Sequence, residues 1–191
     1  HTIWNCDWSS DVCSSDLASA LSARDRGTAT HLLLEKLDWQ AAARTGGVDT
    51  EIERLVNAGI LSPTQAAVVD REAVKWLLDS ELGRRLSGAG SVRRELAFNL
   101  AAAPRGVKDA LADETDRVMI RGRIDALQEE GGEFVVIDYK TDRVEGEGLK
   151  ERVGMYEGQV SLYRDAVERI TGRKVQAVYL AFLHARELVR L

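Results

Sequence analysis

The stretch RGTATHLLLEKLDW, Arg26 to Trp39, carries alanine and leucine around most of a helical circumference and leaves His31 and Glu35, four residues apart, as a polar seam. A first core helix is predicted over about 26–40. A Gly-containing break, AARTGGV, follows, and short helical patterns then fill about 49–86. DTEIERLVNAG stops at Gly59, a helix C-terminal glycine, while SPTQ offers Ser62 as N-cap, Pro63 in the first turn and Gln65 three residues on. DREAVKWLLDSELGRRL continues the helical pattern to about Leu86.

After SGAGS the period changes to two. VRRELAFNL sets Val92, Leu96, Phe98 and Leu100 on one face against Arg93, Glu95 and Asn99, and RVMIRGRIDAL sets Val118, Ile120, Ile124 and Ala126 against Arg121, Arg123 and Asp125. A third strand, EFVVIDYK, follows across the hairpin-like turn QEEGGE. GMYEGQVSLYRDAVERITG is an amphipathic helix with Tyr156, Val160, Tyr163, Val167 and Ile170 on its apolar stripe and Gly172 past its end, and KVQAVYLAFL is a final apolar strand. The order of elements predicts an α/β domain, a mixed central sheet flanked by helices, with a helical insert after the first core helix.

Composition refines this picture at one end. The 191 residues, 45% hydrophobic and 30% charged, suit one globular domain. Residues 1–17, HTIWNCDWSSDVCSSDL, hold both cysteines and two of the four tryptophans, and their near-repeat SSDV, SSDL resembles the translation of a sequencing-adapter oligonucleotide. They are read as a non-native tail and set apart from the domain, 18–191. Cys6 and Cys13 fit no metal-ligand spacing and leave the domain without cysteine. Setting aside Asp7, Asp11 and Asp16 leaves 28 acidic against 26 basic residues, so the domain is not held on DNA by a broadly basic surface. No apolar run is long enough to cross a bilayer and no signal-peptide pattern is present, so the expectation is a cytoplasmic protein with no membrane partner. No G-x-x-x-x-G-K-[ST] phosphate loop occurs either.

The candidate chemistry lies at the end of the third strand. Side chains two apart on a strand share a face, so Asp138 and Lys140 project together and Tyr139 points away. A divalent cation such as Mg²⁺ takes hard oxygen ligands from one or two carboxylates and keeps several waters. Asp125 and Asp138 supply such ligands if the second and third strands pair in a register that brings them together, and a lysine beside the metal holds or deprotonates the attacking water. Taken alone, the Asp138–Lys140 pair also suits a solvated strand end, His31 a satisfied polar residue, and Tyr163 plain core packing. Gln159 has the same two readings, and Arg121, Arg123 and Arg143 suit either phosphate contact or charge balance beside the carboxylates.

GRIDAL, IDYKTD and YEGQVSLY, preceded in order by GTATHLLLEKLDW, AGILSPTQA, SELGRRL and RRELAF, resemble the RecB-type branch of the PD-(D/E)XK nucleases, which have a restriction-endonuclease-like core. More closely they resemble the C-terminal nuclease domains of AddA-type helicase-nucleases, which process DNA double-strand ends. The resemblance spans Arg26 to the C-terminus and places the catalytic core at about 26–40 and 91–191. It implies a Mg²⁺-dependent (or Mn²⁺-dependent) deoxyribonuclease of exonuclease type, acting on single-stranded DNA or DNA ends. His31, Asp125, Asp138 and the Tyr139 backbone carbonyl match its metal ligands, Lys140 its catalytic lysine, and Gln159 with Tyr163 its Q-x-x-x-Y pair. Glu95 matches an Arg-Glu pair in a supporting role. The resemblance also implies a helicase domain missing from this chain, as in a truncated gene, and an AddB-like partner protein. A non-catalytic DNA-end-binding or subunit-docking module of the same fold is the alternative, and retention of every expected ligand and of the lysine argues against it.

Overall fold

The computed structural model describes residues 22–88, 91–102 and 118–191; the tail 1–17 lies outside the described residues. Helix α1, Ala23–Lys36, begins at a capping box in which the Ser22 and Asp25 side chains satisfy each other's backbone N–H groups. Five short helices follow: α2 Trp39–Ala42, α3 Gly47–Asn57, α4 Pro63–Val68, α5 Arg71–Asp79 and α6 Glu81–Gly88. Gly59 adopts φ +68° just beyond α3, and Ser62, Pro63 and Gln65 form the expected cap of α4. The helical pattern expected to about Leu86 is divided into two helices at Ser80. Its extended backbone ends α5, and its hydroxyl accepts the Gly83 N–H at 3.0 Å.

Among the described residues five strands, β1 Val92–Ala102, β2 Val118–Glu130, β3 Glu133–Lys140, β4 Val175–Phe182 and β5 Glu187–Arg190, lie in that spatial order. Neighbours are antiparallel except β3 and β4, which run parallel. A parallel pair needs a long crossover. Here it is α7, Glu147–Thr171, closed by Gly172 at φ +70°. Gly131 and Gly132, both at positive φ, make the two-residue β2–β3 hairpin. KVQAVYLAFL is not the last strand, because the short edge strand β5 pairs with it.

The sheet separates two apolar clusters. On one face α1–α6 pack on Ala126, Val135, Ile137, Tyr139, Ala177 and Ala181. On the other, Val160, Tyr163, Ala166 and Val167 of α7 pack on Phe98, Ile124, Leu127, Phe134, Val136 and Val178. Ile170, expected on the same stripe, lies in the last turn of α7 and is 59% exposed, so Val167 is the last stripe residue to reach the sheet.

The two first strands depart from simple alternation at one level. Leu96, Phe98 and Leu100 face α7, yet Val92 packs with the helical layer; Ile124 faces α7, yet Ala126 faces the helical layer. The expected single faces are therefore corrected. The β1–β2 register is the same on both sides of Glu95 and Asp125 but skips that pair, and Glu95 has φ +49°. A non-glycine residue in this left-handed region costs on the order of 1 kcal/mol or more. The paired kink turns the following side chains over and leaves Glu95 and Asp125 where the strands reverse face.

Candidate active site

His31 comes from the middle of α1, Glu95 and Asp125 from the kink, and Asp138 and Lys140 from the end of β3. Helix α1 lies close to that strand end because residue 27 is glycine: a Cβ there would stand 2.9 Å from Thr141 Oγ1. His31 Nδ1 is 3.4 Å from Asp125 Oδ1 and 4.0 Å from Glu95 Oε1. One ligand atom from each of these three residues lies within 4.8 Å of the other two. Glu95, expected only in a supporting role, has its carboxylate inside the cluster.

The β2–β3 register, with Ala126 opposite Ile137, sets Asp125 beside Asp138 on adjacent strands. Asp125 Oδ2 is held by the Tyr139 N–H at 2.7 Å, which leaves Oδ1 toward His31. The Tyr139 side chain points the other way, into the helical layer, with its ring edge-on to His31. Asp138 and Lys140 share the opposite face, as the spacing requires, with Lys140 Nζ 2.6 Å from Asp138 Oδ2. The ammonium also donates to Gln159 Oε1 at 2.9 Å and sits 3.6 Å from the centre of the Tyr156 ring. Gln159 Nε2 in turn donates to the Tyr163 hydroxyl at 2.7 Å. Tyr163 is therefore both core and site: its ring packs edge-on against Phe98 while its hydroxyl ends the chain from Lys140.

Burial decides the electrostatics. It raises the Asp138 carboxyl to about 6 despite the Lys140 charge, with Asp125 adding repulsion. For His31, burial favours the neutral ring, but the hydrogen bond and charge of Asp125, with Glu95 and Asp138 behind it, outweigh this and raise its pKa. Burial raises Tyr156 and Tyr163 to about 12, so both hydroxyls keep their protons.

The donor set fits a hard divalent cation. Asp138 Oδ2 is buried against Lys140 Nζ at 2.6 Å, with no hydrogen-bond donor besides it among the described residues. Burial makes the ionised Asp138 carboxylate costly beside the carboxylate–imidazole cluster, and a cation bound there would offset that cost. His31, Glu95, Asp125 and Asp138 are the residues that would hold it.

The arginines separate. Arg123 Nη1 is 3.0 Å from Glu95 Oε2 and balances that carboxylate; Arg121 is exposed on β2 opposite Asn99; Arg143 is exposed beyond β3. Two supporting residues were not among those expected from the sequence. Tyr156, assigned only to the apolar stripe, carries Lys140 on its ring and donates its hydroxyl to Asp142 at 2.8 Å. Arg94 donates to the Glu35 and Leu37 carbonyls at 3.3 and 3.1 Å, stacks 5.7 Å from Trp39, and ties the end of the His31 helix to the strand bearing Glu95. The available signal was a cation at the alternation position shared by Val92 and Leu96.

A mixed sheet with a carboxylate–histidine cluster and an Asp-x-Lys strand end defines a PD-(D/E)XK-type site. Residues 11–189 match the PD-(D/E)XK nuclease superfamily, and the chain belongs to it. It is similar to an ATP-dependent helicase/nuclease subunit of Carboxydothermus hydrogenoformans, 33% identical over 165 residues, or 86% of this chain and 14% of that protein. The protein of the same description from Desulforudis audaxviator is 36% identical over 166 residues, and that from Alkaliphilus oremlandii 33% over 174, covering 86% and 91% of this chain. The chain spans about one seventh of the length of these relatives, 14% in each case. Among the described residues no helix is long and apolar enough to cross a membrane.

Proposed function

We propose that the domain is a Mg²⁺-dependent deoxyribonuclease, with Mn²⁺ as a substitute, that hydrolyses phosphodiester bonds in single-stranded DNA or at DNA ends. It would serve as the exonuclease module of an AddAB/RecBCD-type helicase-nuclease in double-strand break repair, beside a helicase domain and an AddB-like partner. The observation that carries this reading is the convergence of His31 on α1, Glu95 and Asp125 at the β1–β2 kink, and the Asp138–Lys140 pair at the end of β3.

A bound divalent cation supplies charge to the scissile phosphate and acidifies water. Asp125 and Asp138, His31 and the Tyr139 carbonyl are its proposed ligands, with Glu95 added by its place in the cluster. Asp125 is fixed for this by the Tyr139 N–H. Lys140, held between Asp138, Gln159 and the Tyr156 ring, orients the attacking water and offsets charge building on the phosphate. Gln159 fixes the lysine, and Tyr163 fixes the amide of Gln159.

The test is cleavage of an end-labelled single strand by the purified chain. Activity is expected with Mg²⁺, none with EDTA, none in Asp125→Ala, and no response to ATP. Undiminished cleavage by Asp125→Ala would overturn the assignment.

A further inference from the structure

We propose that a second chamber beside the metal cleft binds a phosphate group of the nucleic-acid strand next to the one being cut. The inference rests on the nuclease reading and adds a subsite to it. The chamber offers about 80 Å³ and is lined by Arg26, Thr30, Asp70, Thr141, Arg143 and His184 over an apolar floor. Pockets that enclose a drug-sized molecule offer roughly 300 Å³ or more. This one suits a tetrahedral anion rather than a nucleoside.

Its lining has the chemistry of an oxyanion site. Arg143 is exposed and makes no ion pair with any described residue, and a guanidinium fork matches phosphate oxygens. Arg26 lies across the chamber on α1, and His184 follows β4, its Nε2 3.5 Å from the exposed carboxylate of Glu145. The lining also holds one acid, Asp70, whose Oδ1 accepts the Ala73 N–H at the start of α5 at 3.0 Å and whose charge offsets one of the two arginines. Thr30 gives its hydroxyl proton to the Arg26 carbonyl, which leaves Thr141 as the hydroxyl donor.

Position supports the same assignment. Thr141 lines both this chamber and the cleft containing His31, Glu95 and Asp125. The Gly27–Thr141 contact presses α1 onto the end of β3, so a single wall divides the two spaces. A strand with one phosphate at the carboxylate cluster has a neighbouring phosphate to place. Without a broadly basic surface, a local cationic chamber is the means of holding it.

The test is binding of a fluorescent single-stranded oligonucleotide by anisotropy at low salt in EDTA, where cleavage is blocked. Arg143→Gln is expected to weaken binding roughly tenfold and to flatten the dependence of log affinity on log salt by about 0.7. Arg169→Gln, on the exposed last turn of α7, should change neither. Replacing single linkages with uncharged methylphosphonate should weaken wild-type binding at one position and have no effect there in Arg143→Gln. Strands with a 5′-phosphate or a 5′-hydroxyl distinguish a terminal from an internal phosphate as the occupant. The subsite is overturned if Arg143→Gln binds like the wild type, if both proteins give the same methylphosphonate profile, or if the wild type binds no strand. Cleavage in Mg²⁺ is scored separately, so an inactive protein that still shows the Arg143-dependent profile refutes the nuclease reading alone.

Discussion

Replacing Asp138 with asparagine should make the metal-free protein more stable at neutral pH while abolishing cleavage. Asp138 is 3% exposed, and burial lifts its carboxyl from the ordinary 3.8 to about 6. Because the folded pKa is the higher one, the stabilising proton is fully bound below about pH 4 and is lost as pH rises through about 6. Above that, the folded state carries a penalty of up to about 3 kcal/mol, at about 1.4 kcal/mol per tenfold change in proton affinity. The amide carries no such penalty, although it loses the contact with Lys140 Nζ. A net gain of about 1–3 kcal/mol is expected at pH 7.5, which is roughly 3–10 °C in melting temperature for a domain of this size. The gain should shrink to nothing near pH 4. Calorimetry of Asp138→Asn and wild type in EDTA across pH 4–8 measures it, and added Mg²⁺ should stabilise the wild type far more than the variant. A wild type more stable than the variant at pH 7.5 would show that the Lys140 ion pair, and not burial, governs this carboxyl.

Lys140→Met should lower cleavage by on the order of 10²–10⁴-fold with circular dichroism unchanged; a loss under tenfold would remove the lysine from the chemistry. Arg94→Met should cost about 1–3 kcal/mol in urea unfolding, because it strips the donor from the half-buried Glu35 and Leu37 carbonyls, and should lower activity through His31; unchanged stability would refute its role as the α1 tie. Gly27→Val should cost about 1–3 kcal/mol by overpacking against Thr141, with Gly27→Ala less severe; equal stability of all three proteins would show that the helix is free to lift off the strand.

Much of the domain is set within a few residues of sequence. The SPTQ cap, the glycines at 59 and 172 and the Gly131–Gly132 hairpin formed as expected, because caps and turns depend on local donors and on φ values that glycine tolerates. Asp138 and Lys140 share a face for the same local reason, the two-residue repeat of a strand. The one-turn spacing of Gln159 and Tyr163 likewise set up their hydrogen bond.

Other features depend on partners distant in the chain. The face reversal at Glu95 and Asp125 arises when two paired strands kink together, and an alternation pattern read one strand at a time has no means of showing it. That kink brings Glu95 to His31, which lies on a helix 64 positions earlier in the chain. Ser80 breaks a helix whose apolar pattern continues through it, and β5 is too short to declare itself before β4 offers an edge. The raised pKa of Asp138 is likewise tertiary: the residue type and its lysine neighbour are written in IDYK, but only packing of α7 over the strand end removes the water that would otherwise keep the carboxylate an ordinary acid.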